Sequence, residues 1–113
     1  MINVRDAAMT DAGPILEIYD HYVKNTAITF EYETPSLEEF QGRMARTMER
    51  YPYLVLEKDG AVRGYAYAGP FVGRAAYDWS GEMTIYLDHR ARKGGLGRLL
   101  YEALEDRLRA MGL

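Results

Sequence analysis

A strand-like run that leads into a glycine-rich turn and then into a helical pattern is the feature that most limits how this chain can fold. Residues 82–87 alternate like a strand, residues 88–95 carry two glycines among basic side chains, and leucines recur at helical spacing from Leu96 to Leu108. Glycine lets a ligand approach the backbone, because no Cβ shields the amides. The unpaired N–H groups and the dipole at the start of the helix therefore predict a phosphate site here.

The spacing of the glycines excludes two common phosphate-binding motifs. A Walker A loop needs a lysine directly after its last glycine, but Gly97 is followed by Arg98. The dinucleotide fingerprint needs a third glycine at the position that Leu100 occupies. The spacing that remains is Arg-x-x-Gly-x-Gly, formed by Arg92, Gly95 and Gly97.

The rest of the chain predicts strands and helices around this segment. The two-residue turn Asp59-Gly60 between two β-prone runs is a hairpin signal, and Ser36 with Glu39 forms the pattern of a helix capping box. The predicted elements are a strand at 2–7, a helix at 11–25, a helix from 37 to about 50, strands at 53–58, 61–68 and 82–87, and a helix from 96 to about 111. Residues 26–33 are β-prone but short, and are either a strand fragment or an extended loop. The order is β-α-α-β-β-β-α.

Composition limits the class of protein further. The 113 residues, 48% hydrophobic and 27% charged, predict one domain with its own core. Cysteine is absent, which excludes disulfide scaffolds and thiolate chemistry, and without an apolar run of membrane length or a signal-peptide pattern we expect a cytoplasmic protein. Residues 1–88 hold 8 basic and 14 acidic side chains, whereas residues 89–113 hold 6 and 3, so an anionic ligand is expected near the C-terminal end.

The residues alone leave several alternatives open. Glu82 at the start of its strand is either a solvated carboxylate or a general base, and the basic turn is a solvated loop, a nucleic-acid patch or a phosphate cradle. The interleaved glycines favour the phosphate cradle, and the net charge of −3 argues against nucleic acid. His21 and His89 lack metal-ligand spacing, so we expect surface roles for both and no metal site.

The Arg-x-x-Gly-x-Gly spacing resembles the pyrophosphate loop of the GNAT superfamily of N-acetyltransferases. With the run of residues 66–71 and the segment from Arg74 to the end of the strand at residue 87, the chain is similar to the phosphinothricin acetyltransferase family over essentially all of its length. The resemblance implies the GNAT acyl-CoA N-acyltransferase fold, of α/β (α+β) class, with a mixed and mostly antiparallel sheet.

The resemblance also implies a role for individual residues, with acetyl-CoA as co-substrate and no metal. Glu82 is the implied general base. The implied acetyl-CoA ligands are Ile85, Tyr86 and Leu87 for the pantetheine arm and Arg92, Lys93, Gly94, Gly95, Leu96, Gly97 and Arg98 for the pyrophosphate. The substrate pocket is implied at Phe30, Arg74, Ala75, Ala76 and Tyr77, although Arg74 could equally be an exposed loop arginine.

The implied reaction is acetylation of the amino group of a small amino-acid-like substrate, of the phosphinothricin or methionine sulfoximine/sulfone class. We expect a homodimer that binds neither nucleic acid nor membranes. Family members continue after the third helix into further strands, which carry an asparagine and a tyrosine of the site, and we expect those strands to be absent from this chain, which ends at Leu113. Either the polypeptide continues, or another chain completes the sheet, or the fragment is not a competent enzyme. The alternative is a non-catalytic acyl-CoA-binding or sensing module.

Overall fold

A computed structural model of the chain describes residues 2–25, 33–70, 81–91 and 95–111. Short 3-10 turns cover Met9–Asp11 and His89–Ala91. The longer elements are β1 (Ile2–Asp6), α1 (Ala12–Asn25), α2 (Leu37–Met48), β2 (Tyr53–Lys58), β3 (Ala61–Pro70), β4 (Gly81–Leu87) and α3 (Leu96–Ala110). This order confirms the predicted β-α-α-β-β-β-α succession.

The strands form one sheet in the order β1-β2-β3-β4, and every pairing among the described strands is antiparallel. The predicted hairpin turn is confirmed: Asp59 has φ 54° and Gly60 has φ 83°, as a two-residue turn that matches the strand twist requires. β3 runs two residues beyond its predicted end because Gly69 and Pro70 pair with the first residues of β4. β4 therefore lies at the edge of the described sheet.

Two buried clusters cover the two faces of this sheet in the described part of the chain. On one face α1 and α2 cover a cluster that includes Ile15, Tyr22, Phe40, Met44, Tyr53, Val55 and Tyr65. On the other face α3 covers a cluster that includes Leu54, Leu56, Ala66, Leu96, Leu100 and Leu104. With helices on both faces, β1 and β4 are the two edge strands of the described sheet.

A glycine on β3 lets α3 and β4 come close to the sheet. A Cβ at Gly64 would lie 2.8 Å from Cδ2 of Leu87, 3.0 Å from Cδ1 of Leu100 and 3.2 Å from the carbonyl oxygen of Tyr86. Real Cβ atoms essentially never show a contact under 3.0 Å, and contacts of 3.0–3.4 Å are tighter than nine in ten of them, so a side chain at this position displaces its neighbours. Gly64 therefore determines how closely the end of β4 and the first turns of α3 approach β3.

The helix starts differ in detail from their predictions. Because the 3-10 turn occupies Met9–Asp11, α1 begins at Ala12. Asp11 in this turn accepts hydrogen bonds from the backbone N–H of Ala8 (2.7 Å) and from the guanidinium of Arg5 (2.8 and 2.9 Å). The hydrogen bonds from Arg5 lower the pKa of Asp11 below its usual range. At α2 the cap is confirmed, because the Ser36 hydroxyl accepts from the N–H of Glu39 (3.1 Å). None of the helices described here is long and apolar enough to span a membrane.

Candidate active site

β4 separates the two faces of the candidate site. Its residues Met83, Ile85 and Leu87 pack with the α3 cluster, whereas Tyr86 packs with the α1 and α2 cluster, which confirms the predicted alternation for these positions. The pairing with β3 uses one side of the strand, and no partner strand lies on its other side among the described residues. The backbone groups on that side of β4 therefore have no strand partner among the described residues.

The C-terminal end of β4 is held by contacts that cross the molecule. The Tyr22 hydroxyl on α1 donates to the carbonyl oxygen of Leu87 at 2.5 Å. The backbone N–H of Asp88 donates to the carbonyl of Arg63 at 2.8 Å. These bonds fix the last residue of the strand at the point where the chain turns toward the glycines.

Asp88 organises the turn that follows the strand. The residue is 6% exposed, and its carboxylate accepts from the backbone N–H of Arg90 (2.9 Å) and from the Arg90 guanidinium (3.1 and 2.9 Å), with the Arg63 guanidinium at 3.5 Å. The hydrogen bonds from Arg90, assisted by nearby positive charge, hold the pKa of Asp88 well below its ordinary value. Sequence reasoning missed this residue, although an aspartate that follows a strand and bonds two residues ahead is a known turn signal.

The start of α3 has the features of an anion site. Gly95 adopts φ 73° and ψ 20°, and within the described part of the chain no side chain caps the helix and no acidic side chain lies in its first turn. Leu96 and Leu100 are buried and anchor the helix. A Cβ on Gly97 would lie 3.4 Å from Cδ1 of Leu87, so this first turn rests directly on the end of β4.

The structure describes the positions of some of the predicted site residues but not of others. The described members are Ile85, Tyr86, Leu87, Gly95, Leu96, Gly97 and Arg98, which lie along β4 and at the start of α3. Arg98 is exposed and pairs with Glu102 at 3.0 Å. The backbone of Glu82 lies at the start of β4 opposite Gly69, and its side chain lies outside the description. Also outside the described residues are Arg92, Lys93 and Gly94 of the loop and Phe30, Arg74, Ala75, Ala76 and Tyr77 of the predicted substrate pocket.

A tyrosine-lined cavity lies beside β4 on the α1 and α2 face. It has a volume of about 360 Å³. Its lining includes Tyr19, Phe40, Arg43, Met44, Arg46, Thr47, Tyr53, Tyr65, Tyr67 and Tyr86. The regular repeat of Tyr65 and Tyr67 on β3, opposite Tyr53 on β2, is the signal that could have indicated an aromatic surface on one face of the sheet.

The two histidines, predicted at separate surface positions, contact each other. The rings of His21 and His89 stack with centroids 3.7 Å apart and planes 9° apart. This contact joins α1 to the turn that precedes the glycine loop. No group of three or more potential metal-ligating side chains occurs in the described ranges.

Comparison with known proteins identifies the protein family in which this arrangement of strand, glycine turn and helix occurs. A family model described as an acetyltransferase (GNAT) domain matches residues 4–113. The chain therefore belongs to the GNAT acetyltransferase family.

Individual relatives narrow the likeness within that family. The phosphinothricin N-acetyltransferase of Streptomyces viridochromogenes is 38% identical over 98% of this chain and 61% of its own length. The L-methionine sulfoximine/L-methionine sulfone acetyltransferase of Salmonella typhimurium is 34% identical over 98% of this chain and 66% of its own length. The crystal structure of a phosphinothricin acetyltransferase from Sinorhizobium meliloti in complex with acetyl-CoA is 40% identical, with a TM-score of 0.90 over 96% of this chain and 60% of that one. The chain thus spans about three fifths to two thirds of these relatives.

Proposed function

We propose that this protein is an acetyl-CoA-dependent N-acetyltransferase for the amino group of a small amino-acid-like substrate of the phosphinothricin or methionine sulfoximine/sulfone class. The observation that supports this most strongly is the junction of Leu87 and Gly97, where the open edge of β4 meets the uncapped start of α3. The names of the relatives support the substrate class.

The residues present fit acetyl-CoA. Backbone groups on the open side of β4 match the amide-rich pantetheine arm, and we assign Ile85, Tyr86 and Leu87 to it. The N–H groups at the start of α3 match the pyrophosphate, because the helix dipole and the left-handed Gly95 favour an anion there. In this proposal Arg92, Lys93 and Gly94 complete the pyrophosphate loop. The residues that follow Gly95, namely Leu96, Gly97 and Arg98, also bind the pyrophosphate.

The chemistry follows from the protonation state of the amine. An alkylammonium has a pKa of about 10, so the lone pair that attacks the thioester is scarce at neutral pH. Glu82 takes one proton from the ammonium, directly or through a water molecule, and the freed lone pair forms the C–N bond to the thioester carbon. Collapse of the tetrahedral intermediate then breaks the C–S bond, and the second proton that the nitrogen loses passes through water to the leaving thiolate, which is released as coenzyme A. A backbone N–H on the open side of β4 stabilises the oxyanion of the tetrahedral intermediate.

The assay for this function is thiol release from acetyl-CoA with a panel of small amino acids. We expect release that depends on the amine, and we expect Glu82→Gln to lower kcat by roughly 10²- to 10⁴-fold, as loss of a general base does. Acetyl-CoA affinity should stay close to that of the wild type. Glu49→Gln, at the exposed end of α2, is the matched control and should keep full activity.

The same assay separates the enzyme from the non-catalytic alternative. If acetyl-CoA binds but no amine in the panel releases thiol, the chain is an acyl-CoA-binding module. If release proceeds equally in Glu82→Gln, the chain is an enzyme but Glu82 is not its base. A homodimer and a cytoplasmic location belong to the same proposal, and sedimentation of the purified protein tests the dimer.

A further inference from the structure

Two neighbouring residues of α1 hold the chain where it leaves β4. The hydroxyl of Tyr22 donates to the carbonyl oxygen of Leu87. The ring of His21 stacks on the ring of His89, with centroids 3.7 Å apart and planes 9° apart. Tyr22 also lies edge-on against His21, with ring centroids 5.5 Å apart. α1 therefore contacts the chain on both sides of Asp88.

The end of β4 in turn meets the start of α3. A Cβ on Gly97 would lie 3.4 Å from Cδ1 of Leu87, and these two residues belong to the two halves of the proposed acetyl-CoA site. Because His89 follows Leu87 by two positions, a shift of the turn at His89 carries the end of the strand with it. Such a shift changes how Leu87 meets Gly97, and so it changes the fit of acetyl-CoA.

The stacked rings can both become charged. Histidine ordinarily changes its charge between about pH 5 and pH 8. A neutral imidazole can stack on a charged one, whereas two charged imidazolium rings in face-to-face contact repel each other. The side chain of His89 is 45% exposed, so water reaches the pair. Both rings line a cavity of about 460 Å³, which gives them room to separate.

The two rings differ in their polar neighbours. Nδ1 of His89 lies 3.7 Å from Oδ1 of Asp88, a contact that suits a protonated ring. Nδ1 of His21 lies 3.3 Å from Nδ2 of Asn25, a contact that suits an unprotonated nitrogen. The arrangement therefore accommodates one proton on the pair, and a second proton opposes both the Asn25 contact and the stack.

Charged groups surround the pair on the elements that pack beside it. These groups are Glu17, Asp20 and Lys24 on α1, Asp88 and Arg90 in the turn, Arg63 on β3, Glu57 on β2, Arg5 on β1 and Asp11 in the first 3-10 turn. Every acidic group in this set except the exposed Glu17 already pairs with an arginine or a lysine within the described ranges, at 2.7–3.2 Å. The paired carboxylates do not neutralise a second imidazolium.

Resting on the proposed acetyl-CoA-dependent function, we propose that His21 is a positioning residue for acetyl-CoA, which holds the end of β4 against α3 while its ring stacks on His89 and releases it when both rings are protonated. An aromatic pair favours the held arrangement by a factor of roughly 2 to 10. Only the protein in the held arrangement has the full affinity, so the apparent affinity follows its population. Acetyl-CoA affinity therefore falls as the pH falls through the histidine range.

Calorimetric titration of the full chain with acetyl-CoA at about pH 8 and about pH 5 tests this role. His21→Phe keeps an aromatic ring that cannot become charged, so it should retain the stack at both pH values. Between the two pH values, we expect the dissociation constant to rise roughly 2- to 10-fold more in the wild type than in His21→Phe. His21→Ala has no ring and should bind more weakly than the wild type already at pH 8. The titration of the acetyl-CoA phosphates is common to all variants and cancels in the comparison.

Two further variants serve as a reciprocal test and as a control. His89→Phe should reproduce the pH profile of His21→Phe, because either substitution leaves a single titrating ring. Glu49→His adds an exposed histidine at the end of α2 and should keep the wild-type profile. Thermal unfolding at both pH values confirms that each variant is folded under the conditions of the titration.

Nuclear magnetic resonance observes the pair without any ligand. The sequence contains two histidines, so the imidazole protons of the wild type come from this pair alone. We expect ring-current shifts to lower frequency for both rings at pH 8 and their loss at pH 5. Ordinary histidine positions at pH 8 would show that the rings do not stack and would overturn the proposal.

The outcomes separate this role from the proposed function. Equal pH profiles in the wild type and His21→Phe, or wild-type affinity in His21→Ala at pH 8, refute the positioning role and leave the enzyme intact. Acetyl-CoA binding with the expected profiles but without thiol release refutes the enzyme and leaves the positioning role. Absence of acetyl-CoA binding from every variant at both pH values refutes both.

Discussion

Replacing Gly64 by alanine tests how the fold positions the acetyl-CoA site. The added Cβ would lie 2.8 Å from Cδ2 of Leu87 and 3.0 Å from Cδ1 of Leu100. Rotation cannot relieve the contact with Leu100 easily, because that side chain is fully buried. The third contact, 3.2 Å from the carbonyl oxygen of Tyr86, is to backbone and can be relieved only by moving β4.

The magnitude follows from these contacts. Overpacking a buried site costs about 1–3 kcal/mol, and the loss of glycine's freedom in the unfolded chain offsets about 0.4–1 kcal/mol of that. We expect Gly64→Ala to lower the free energy of unfolding by about 1.3 kcal/mol, which lowers Tm by roughly 5 °C in a domain of this size. Because the displaced atoms belong to Tyr86 and Leu87, acetyl-CoA affinity should fall as well.

Thermal unfolding by circular dichroism, with calorimetric binding of acetyl-CoA, measures both effects. Gly69→Ala is the matched control on the same strand, since no described atom lies within 4 Å of a Cβ at that position. That variant should unfold at or slightly above the wild-type temperature. If Gly64→Ala is as stable as Gly69→Ala, then α3 and β4 do not lie as close to Gly64 as the structure shows.

Further substitutions test the two ends of the glycine turn. Gly95→Ala forces a left-handed φ on a residue with a Cβ, which costs about 1–3 kcal/mol, so acetyl-CoA affinity measured by calorimetry should fall about 10-fold or more; an unchanged affinity would argue against this conformation in the bound state. Tyr22→Phe removes the bond to Leu87 and should lower the free energy of unfolding by about 1 kcal/mol in urea titrations; an equal midpoint would show that the bond contributes nothing. Because the pKa of Asp88 is lowered in the fold, its stabilisation is full above the unfolded pKa of about 3.9 and is lost as pH falls through the folded value. Asp88→Asn should therefore destabilise the protein at pH 7 and flatten the fall in Tm below about pH 4; a fall as steep as in the wild type would exclude Asp88 as its source.

Local signals made much of the fold predictable. The positive φ angles of Asp59 and Gly60 and the alternation along β4 follow from a few neighbouring residues, so one sequence suffices to predict them. The start of α3 at Leu96 was predictable for the same reason, because glycines precede a leucine pattern.

Contacts between distant parts of the chain were not predictable in this way. The bond from Tyr22 to Leu87 joins residues 65 positions apart, so no local pattern predicts it. The tyrosine cavity depends on the register of β2, β3 and β4 together, which no single segment encodes. The stacking of His21 on His89 likewise depends on how α1 packs beside the end of β4.

Mass spectrometry of the acceptor amino acid after incubation with the purified protein and isotope-labelled acetyl-CoA tests the central claim most directly. The account predicts one labelled acetyl group on the amino nitrogen of phosphinothricin or methionine sulfone, formed in step with free coenzyme A and strongly reduced in Glu82→Gln. Unmodified amino acid and intact acetyl-CoA, at concentrations where calorimetry shows both to be bound, would contradict it.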